Sequence, residues 1–167
     1  SSPHSGTLLD KNLLAKRNND IYSFDSMQDM YVNEFSSGLD KCGFTVLQSN
    51  ISRVVIDLNR NINEIDSKII KNLPSDIEIN LSDKVRAGIG LITTKDASGN
   101  KIYDEKLDWI EVRDRINNYY LPWHNALKIA VKNLSTKFKR VLIIDMHSMP
   151  SKTIYNNQLA DFVIGNN

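Results

Sequence analysis

Asp145-Met146-His147-Ser148 follows directly on the apolar run Val141-Leu142-Ile143-Ile144. The run reads as a short buried strand, so an acid and an imidazole appear where the strand ends. In open α/β sheets, ligand sites form where the chain leaves the carboxyl ends of the strands. Alternate residues of an extended chain point the same way, so Asp145 and His147 can serve one site. Pro3-His4-Ser5-Gly6-Thr7 repeats the His-Ser pair in a chain with only three histidines. The two pairs read as halves of one metal site. Zinc takes His nitrogen and carboxylate oxygen, and catalytic sites leave one position open for water. Asp145 is then a ligand itself or the partner that orients one. The competing reading makes His147 a hydrogen-bonded loop histidine and His4 part of a loose terminal stretch. Gly6 would permit a close backbone approach, and Ser5 and Thr7 offer donors to an anion.

Two further groups carry chemistry. Asp57-Leu58-Asn59-Arg60 closes a second apolar run. An Arg binds a carboxylate bidentately and Asn59 adds a donor and an acceptor, so the pair can clamp a substrate carboxylate. Arg53, earlier on the same run, can polarise a carbonyl; a salt-bridged surface turn is the plainer alternative. A carboxylate would complete a set of two histidines and one acid. Asp25 and Asp29 both stand near the start of a predicted helix, where an acid is also stabilised by the helix dipole. Spacing does not choose between them. His124 follows Tyr120 by four residues, near an apolar helix face, and reads as a structural histidine.

These residues need elements to hold them. The pattern predicts a helix at Lys11–Lys16. Asp25-Ser26 offers an N-cap to a second helix, from Met27 to Leu39. Strands are predicted at Phe44–Leu47, Arg53–Asp57, Ala87–Thr93, Val141–Ile144 and Ala160–Ile164. Residues 61–84 form a polar excursion, and Ser98-Gly99-Asn100 a turn. Glu105 to Lys137 is helical, with Pro122 as an interruption. Strands alternating with helices give a mostly parallel α/β sheet.

The 167 residues suffice for one domain, 1–167. Lys plus Arg number 21 against 20 for Asp plus Glu, a net +1. This balance argues against general nucleic-acid binding, which needs a basic face. The apolar runs are too short to span a bilayer. The single Cys42 forms no internal disulfide and fits a reducing, cytoplasmic compartment. The start at Ser1 and the stop after Phe162-Val163-Ile164 suggest that an N-terminal strand and a C-terminal part lie outside the sequence.

Taken in order, these pieces resemble the N-formylglutamate amidohydrolase family. The matching text is Ser2-Pro3-His4-Ser5-Gly6-Thr7, Asp29-Met30-Tyr31-Val32-Asn33-Glu34-Phe35 and Ser52-Arg53-Val54-Val55-Ile56-Asp57-Leu58-Asn59-Arg60. It continues with Pro122-Trp123-His124, Asp145-Met146-His147-Ser148-Met149-Pro150 and Ala160-Asp161-Phe162-Val163-Ile164-Gly165. The family is similar to the zinc carboxypeptidase and aspartoacylase group. The resemblance implies a three-layer, phosphorylase/hydrolase-like α/β fold with a mostly parallel mixed central sheet. It also implies metal-assisted hydrolysis of an N-formyl or N-acyl amino acid, first among them N-formyl-L-glutamate. His4, Asp29 and His147 would ligate one zinc ion. Asn59 and Arg60 would hold the substrate carboxylate, and Arg53 would polarise the scissile carbonyl. The family's proton-shuttling glutamate would fall beyond Asn167.

A rival from another class is a non-catalytic metal or amino-acid binding protein on the same fold. A two-metal phosphoesterase is disfavoured, because the chain shows no Asp/His set large enough for two ions.

Overall fold

The structure is a computed structural model that describes residues 1–18, 24–149 and 160–165. Short helices and a small parallel sheet are joined by long hydrogen-bonded loops, a mixed α/β architecture. Strand β1 (Ile70–Lys71) lies parallel to β2 (Leu107–Asp108), with Ile70 opposite Leu107. Asp108 ends β2 and also opens a helix. Its carboxylate accepts from Ile110 N while Glu111 reaches back to Asp108 N, a reciprocal capping box.

Helix α1 (Lys11–Lys16) forms where expected. Asp10 caps it, accepting from Asn12 N and Leu13 N, and Leu13 is fully buried. α2 (Val32–Phe35) and α3 (Asp83–Arg86) are single turns. α4 (Trp109–Arg115) runs through a π turn (Ile116–Tyr120) into α5 (Leu121–Ser135). Pro122 therefore does not divide the predicted helix. The helix begins at Trp109 rather than near Glu105, because the capping box fixes its first turn.

The helix expected over Met27–Leu39 is replaced by a 3₁₀ turn (Asp25–Met27), α2 and a second 3₁₀ turn (Leu39–Cys42). Tyr31 and Gly38 take left-handed backbone angles, which no continuous right-handed helix can contain.

None of the five expected strands is a strand here, and the reasons differ. Val54, Val55 and Ile56 are completely buried, as their β-branched character suggests, yet 53–55 form a turn. Asp57 N donates to Leu91 O at 2.8 Å and Val55 N to Ser52 O at 3.0 Å, so scattered partners replace a ladder. Residues 87–93 form a turn after α3. There Gly90 passes so close to Glu64 O that a Cβ would lie 2.6 Å from it. Residues 44–47 carry no strand. Residues 141–144 and 160–164 carry no strand among the described residues, and Leu142 and Ile164 are exposed.

The first residues act as the middle rung between two segments. Ser2 N donates to Leu47 O and Ser2 O accepts from Ser49 N, a parallel bridge to Gln48. On the other side Ser1 N donates to Ile144 O at 2.6 Å and Ser1 O accepts from Met146 N at 2.9 Å. A second parallel bridge joins Leu8 to Ile51. Between the two bridges to 48–51, Gly6 lies against the backbone, where a Cβ would fall 2.3 Å from Ile51 O.

A methyl group at Gly6 must displace backbone rather than a flexible side chain. Gly6→Ala is expected to destabilise the protein by about 1–3 kcal/mol, read as a lower urea midpoint. A midpoint equal to wild type would show that this packing constrains nothing.

Candidate metal centre and the loop behind it

The parallel rungs set the site. With Ser1 and Ser2 bonded on both sides, His4 turns inward and Asp145 and His147 run beside it. His4 is buried, at 3% exposure. Its Nε2 is 2.7 Å from Asp57 Oδ1, so its Nδ1 is the free nitrogen. That Nδ1 is buried, has no hydrogen-bond partner, and faces Asp29 Oδ2 at 3.5 Å.

Asp29 is delivered by the loop after the 3₁₀ turn. Phe24, Met27 and Val32 anchor this loop in the interior, and Asp29 N donates to His4 O at 3.1 Å. Asp25 is exposed and stands outside the cluster, so the structure chooses Asp29 of the two acids.

His147 closes the group. Its Nδ1 donates to Asp29 Oδ2 at 2.7 Å, and its Nε2 donates to Asp145 Oδ2 at 3.0 Å. The rings of His4 and His147 lie 4.9 Å apart. One ligand atom from each of His4, Asp29 and His147 lies within 4.8 Å of the other two.

The charges are mutually supported. Burial would raise the Asp29 carboxyl, but the hydrogen bond from His147 and the nearby His4 imidazole hold it well below its ordinary range. Burial acts likewise on Asp57. The His4 hydrogen bond and the charges of His4, Arg53 and Arg60 outweigh it and hold that carboxyl at about 2. Asp145 is lowered too: burial opposes the shift, and hydrogen bonds from His147 and Ser1 carry it. Hydrogen bonds to Asp145 and Asp29 push the His147 imidazole up to about 9 against its desolvation.

Asp57, which had no role in the sequence analysis, stands directly behind His4. It is fully buried and meets four groups: His4 Nε2, Asn59 N at 2.9 Å, Arg53 Nη2 at 2.6 Å and, more distantly, Arg60 Nη2 at 3.8 Å. A carboxylate on the far nitrogen of a ligand histidine fixes its tautomer and ring orientation. The available signal was an acid directly after a buried apolar run, the same pattern that singled out Asp145.

Arg53 turns to Asp57, its Nη2 2.6 Å from Oδ2, rather than to His4, Asp29 or His147. Asn59 does reach the cluster, its amide nitrogen 3.1 Å from His147 Nε2. Arg60 is largely enclosed. Its Nε donates to Ile89 O and its Nη1 to Asn59 O, and Nη2 remains beside Asp57. His124 stands apart from the metal cluster and donates from Nε2 to Leu58 O at 3.0 Å.

The residues fit a metal ion. The donor set of two imidazoles and one carboxylate suits zinc, each histidine is backed by its own aspartate, and the buried Nδ1 of His4 lacks any other partner. Asp57→Asn is expected to cut zinc affinity by about 10–100-fold with the fold intact, as competitive chelator titration would record. Affinity at the wild-type level would remove Asp57 from the site.

Metal binding must also expel the proton that His147 Nδ1 shares with Asp29. Because the metal-free imidazole titrates at about 9, protons compete throughout the neutral range and affinity rises with pH. Apparent zinc affinity is expected to climb roughly tenfold per unit between about pH 6 and pH 8. Calorimetry in buffers of different ionisation enthalpy should show the proton released. A flat affinity over that range would contradict this arrangement.

Residues 1–167 match a family model described as N-formylglutamate amidohydrolase. Among solved structures, the crystal structure of N-formylglutamate amidohydrolase from Ralstonia eutropha JMP134 is similar, with a TM-score of 0.79 and 33% sequence identity. The alignment covers 89% of this chain and 52% of that one, so the chain spans about half of that neighbour's length. No match to the curated proteins was found.

Proposed function

The chain belongs to the N-formylglutamate amidohydrolase family, and on that premise we propose that it hydrolyses the amide bond of an N-formyl or N-acyl amino acid. N-formyl-L-glutamate, giving L-glutamate and formate, is the first substrate. The observation that carries the reading is the convergence of His4, Asp29 and His147 around the unpartnered His4 Nδ1. The three residues hold one zinc ion in this reading. Zinc supplies a Lewis acid for the scissile carbonyl and a means of activating water at neutral pH.

The chain's own residues do the rest. Asp57 and Asp145 hold the two imidazoles in the ligating orientation. Asn59 and Arg60 bind the substrate carboxylate, a role supported by the contact of Asn59 with His147 and by the place of Arg60 next to it in the same segment. Arg53 polarises the carbonyl from the same loop. Its support is position, since the 53–60 segment carries all three residues past the cluster. The parallel rungs of residues 1–8 and the likeness to the Ralstonia structure support the fuller three-layer fold, with 1–167 in one domain. A cytoplasmic setting agrees with the single cysteine. Among the described residues no helix is long and apolar enough to cross a membrane.

The test is formate release from N-formyl-L-glutamate by the zinc-loaded protein. Activity is expected, together with loss in Arg60→Ala through a KM raised about tenfold or more at unchanged zinc content. Stoichiometric zinc without hydrolysis of any N-acyl amino acid would overturn the enzymatic reading and leave a binding protein. Unaltered kinetics in Arg60→Ala would refute the clamp.

A further inference from the structure

The long helix carries an irregularity next to its proline. Leu121 N donates to Ile116 O, five residues back rather than four. Pro122 has no N–H to offer Asn118 O, and in an α turn its ring would press on that carbonyl. The widened turn accommodates this, and it changes which side chains share a face. Across an α turn residues four apart align, whereas across a π turn residues five apart do. Arg115 and Tyr120 therefore project together, and His124 follows one α turn later with its ring 4.2 Å from that of Tyr120. Tyr119, the residue an α turn would set over Arg115, turns instead to Asp10, its hydroxyl 3.4 Å from Oδ2.

All three side chains on this face donate to main-chain carbonyls of one segment. Arg115 Nη1 reaches Val55 O at 3.1 Å, His124 Nε2 reaches Leu58 O at 3.0 Å, and Tyr120 Oη reaches Arg60 O at 2.9 Å. These carbonyls bracket Asp57, Asn59 and Arg60. The segment belongs to no strand, so side chains do for its backbone what a sheet ladder would otherwise do.

We propose that the π turn sets the register of this grip, and that Tyr120 and His124 are positioning residues for the Asn59–Arg60 carboxylate clamp. The inference rests on the reading that Asn59 and Arg60 bind substrate carboxylate. Tyr120 and His124 do not touch substrate in it; they act through the backbone of 58–60. Arg115 shares the face but is buried in the core, with Nε and Nη2 unpartnered, so replacing it would disturb folding generally.

The experiment compares His124→Leu, His124→Gln and Tyr120→Phe in the zinc-loaded chain, by steady-state kinetics, zinc content and hydrogen–deuterium exchange of the free protein. His124→Leu is expected to raise KM for N-formyl-L-glutamate about tenfold with a smaller change in kcat. Zinc content stays at the wild-type level, and exchange quickens only in peptides spanning 55–61. His124→Gln, which keeps a donor toward Leu58 O, restores most of the KM, and Tyr120→Phe behaves like His124→Leu in milder form. An unchanged KM and unchanged loop exchange in His124→Leu overturn the proposal. So do a uniform rise in exchange across the protein and loss of zinc, which would mark a merely structural role. If wild type hydrolyses nothing, the functional reading fails by itself, and the exchange pattern still decides whether these residues position the loop.

Discussion

A fully buried carboxylate must find partners for all of its charge, and Asp57 organises its surroundings to do so. An unpaired carboxylate in a dry interior would cost several kcal/mol. Here the four partners are also the groups to which the proposed function gives roles: the candidate ligand His4, Asn59 and Arg60 of the proposed clamp, and Arg53. Moving Asp57 would turn the His4 ring, release Arg53 and loosen the turn at Asn59 together. The metal cluster and the clamp are therefore parts of one electrostatic unit that happens to present two faces.

That unit needs rigid support because its segment lacks strand hydrogen bonds. Support arrives from three sides. Leu91 O takes the N–H of Asp57, the helix face of Arg115, Tyr120 and His124 takes three carbonyls, and completely buried Val54, Val55 and Ile56 lock the chain by packing. The opposite wall depends on Ser1 and Ser2, whose rungs hold residues 47–49 and 144–146 at fixed spacing. Between these walls the three metal-site residues come from positions 4, 29 and 147, so the site exists only in the folded chain.

Much of the candidate site was legible in the sequence, because residue types able to do such chemistry are rare and stand next to apolar runs. His4 and His147 were singled out by composition, and Asp29 was separated from Asp25 only by resemblance and then by burial. Apolar runs report burial more faithfully than they report strands. Arg53–Asp57 reads as a strand because Val and Ile are buried, but burial is equally served by a turn whose polar groups find distant partners. The Met27–Leu39 periodicity fails for a local reason, the left-handed backbone at Tyr31 and Gly38, which no spacing rule for apolar residues detects. The π turn was half visible: Pro122 announced an interruption, but not that the helix would continue with its faces shifted by one residue.

Charge links the metal to the kind of substrate. Without metal, the carboxylates of Asp29, Asp57 and Asp145 stand against nearby cations that include Arg53, Arg60 and the protonated His147. A divalent ion that displaced the His147 proton would add one net positive charge to the centre. In a partly buried site such added charge favours a negatively charged ligand. The acidic N-acyl amino acid of the proposed function would meet that requirement better than a neutral amide. The same ion pairs would thus give a metal-loaded site a preference for anions.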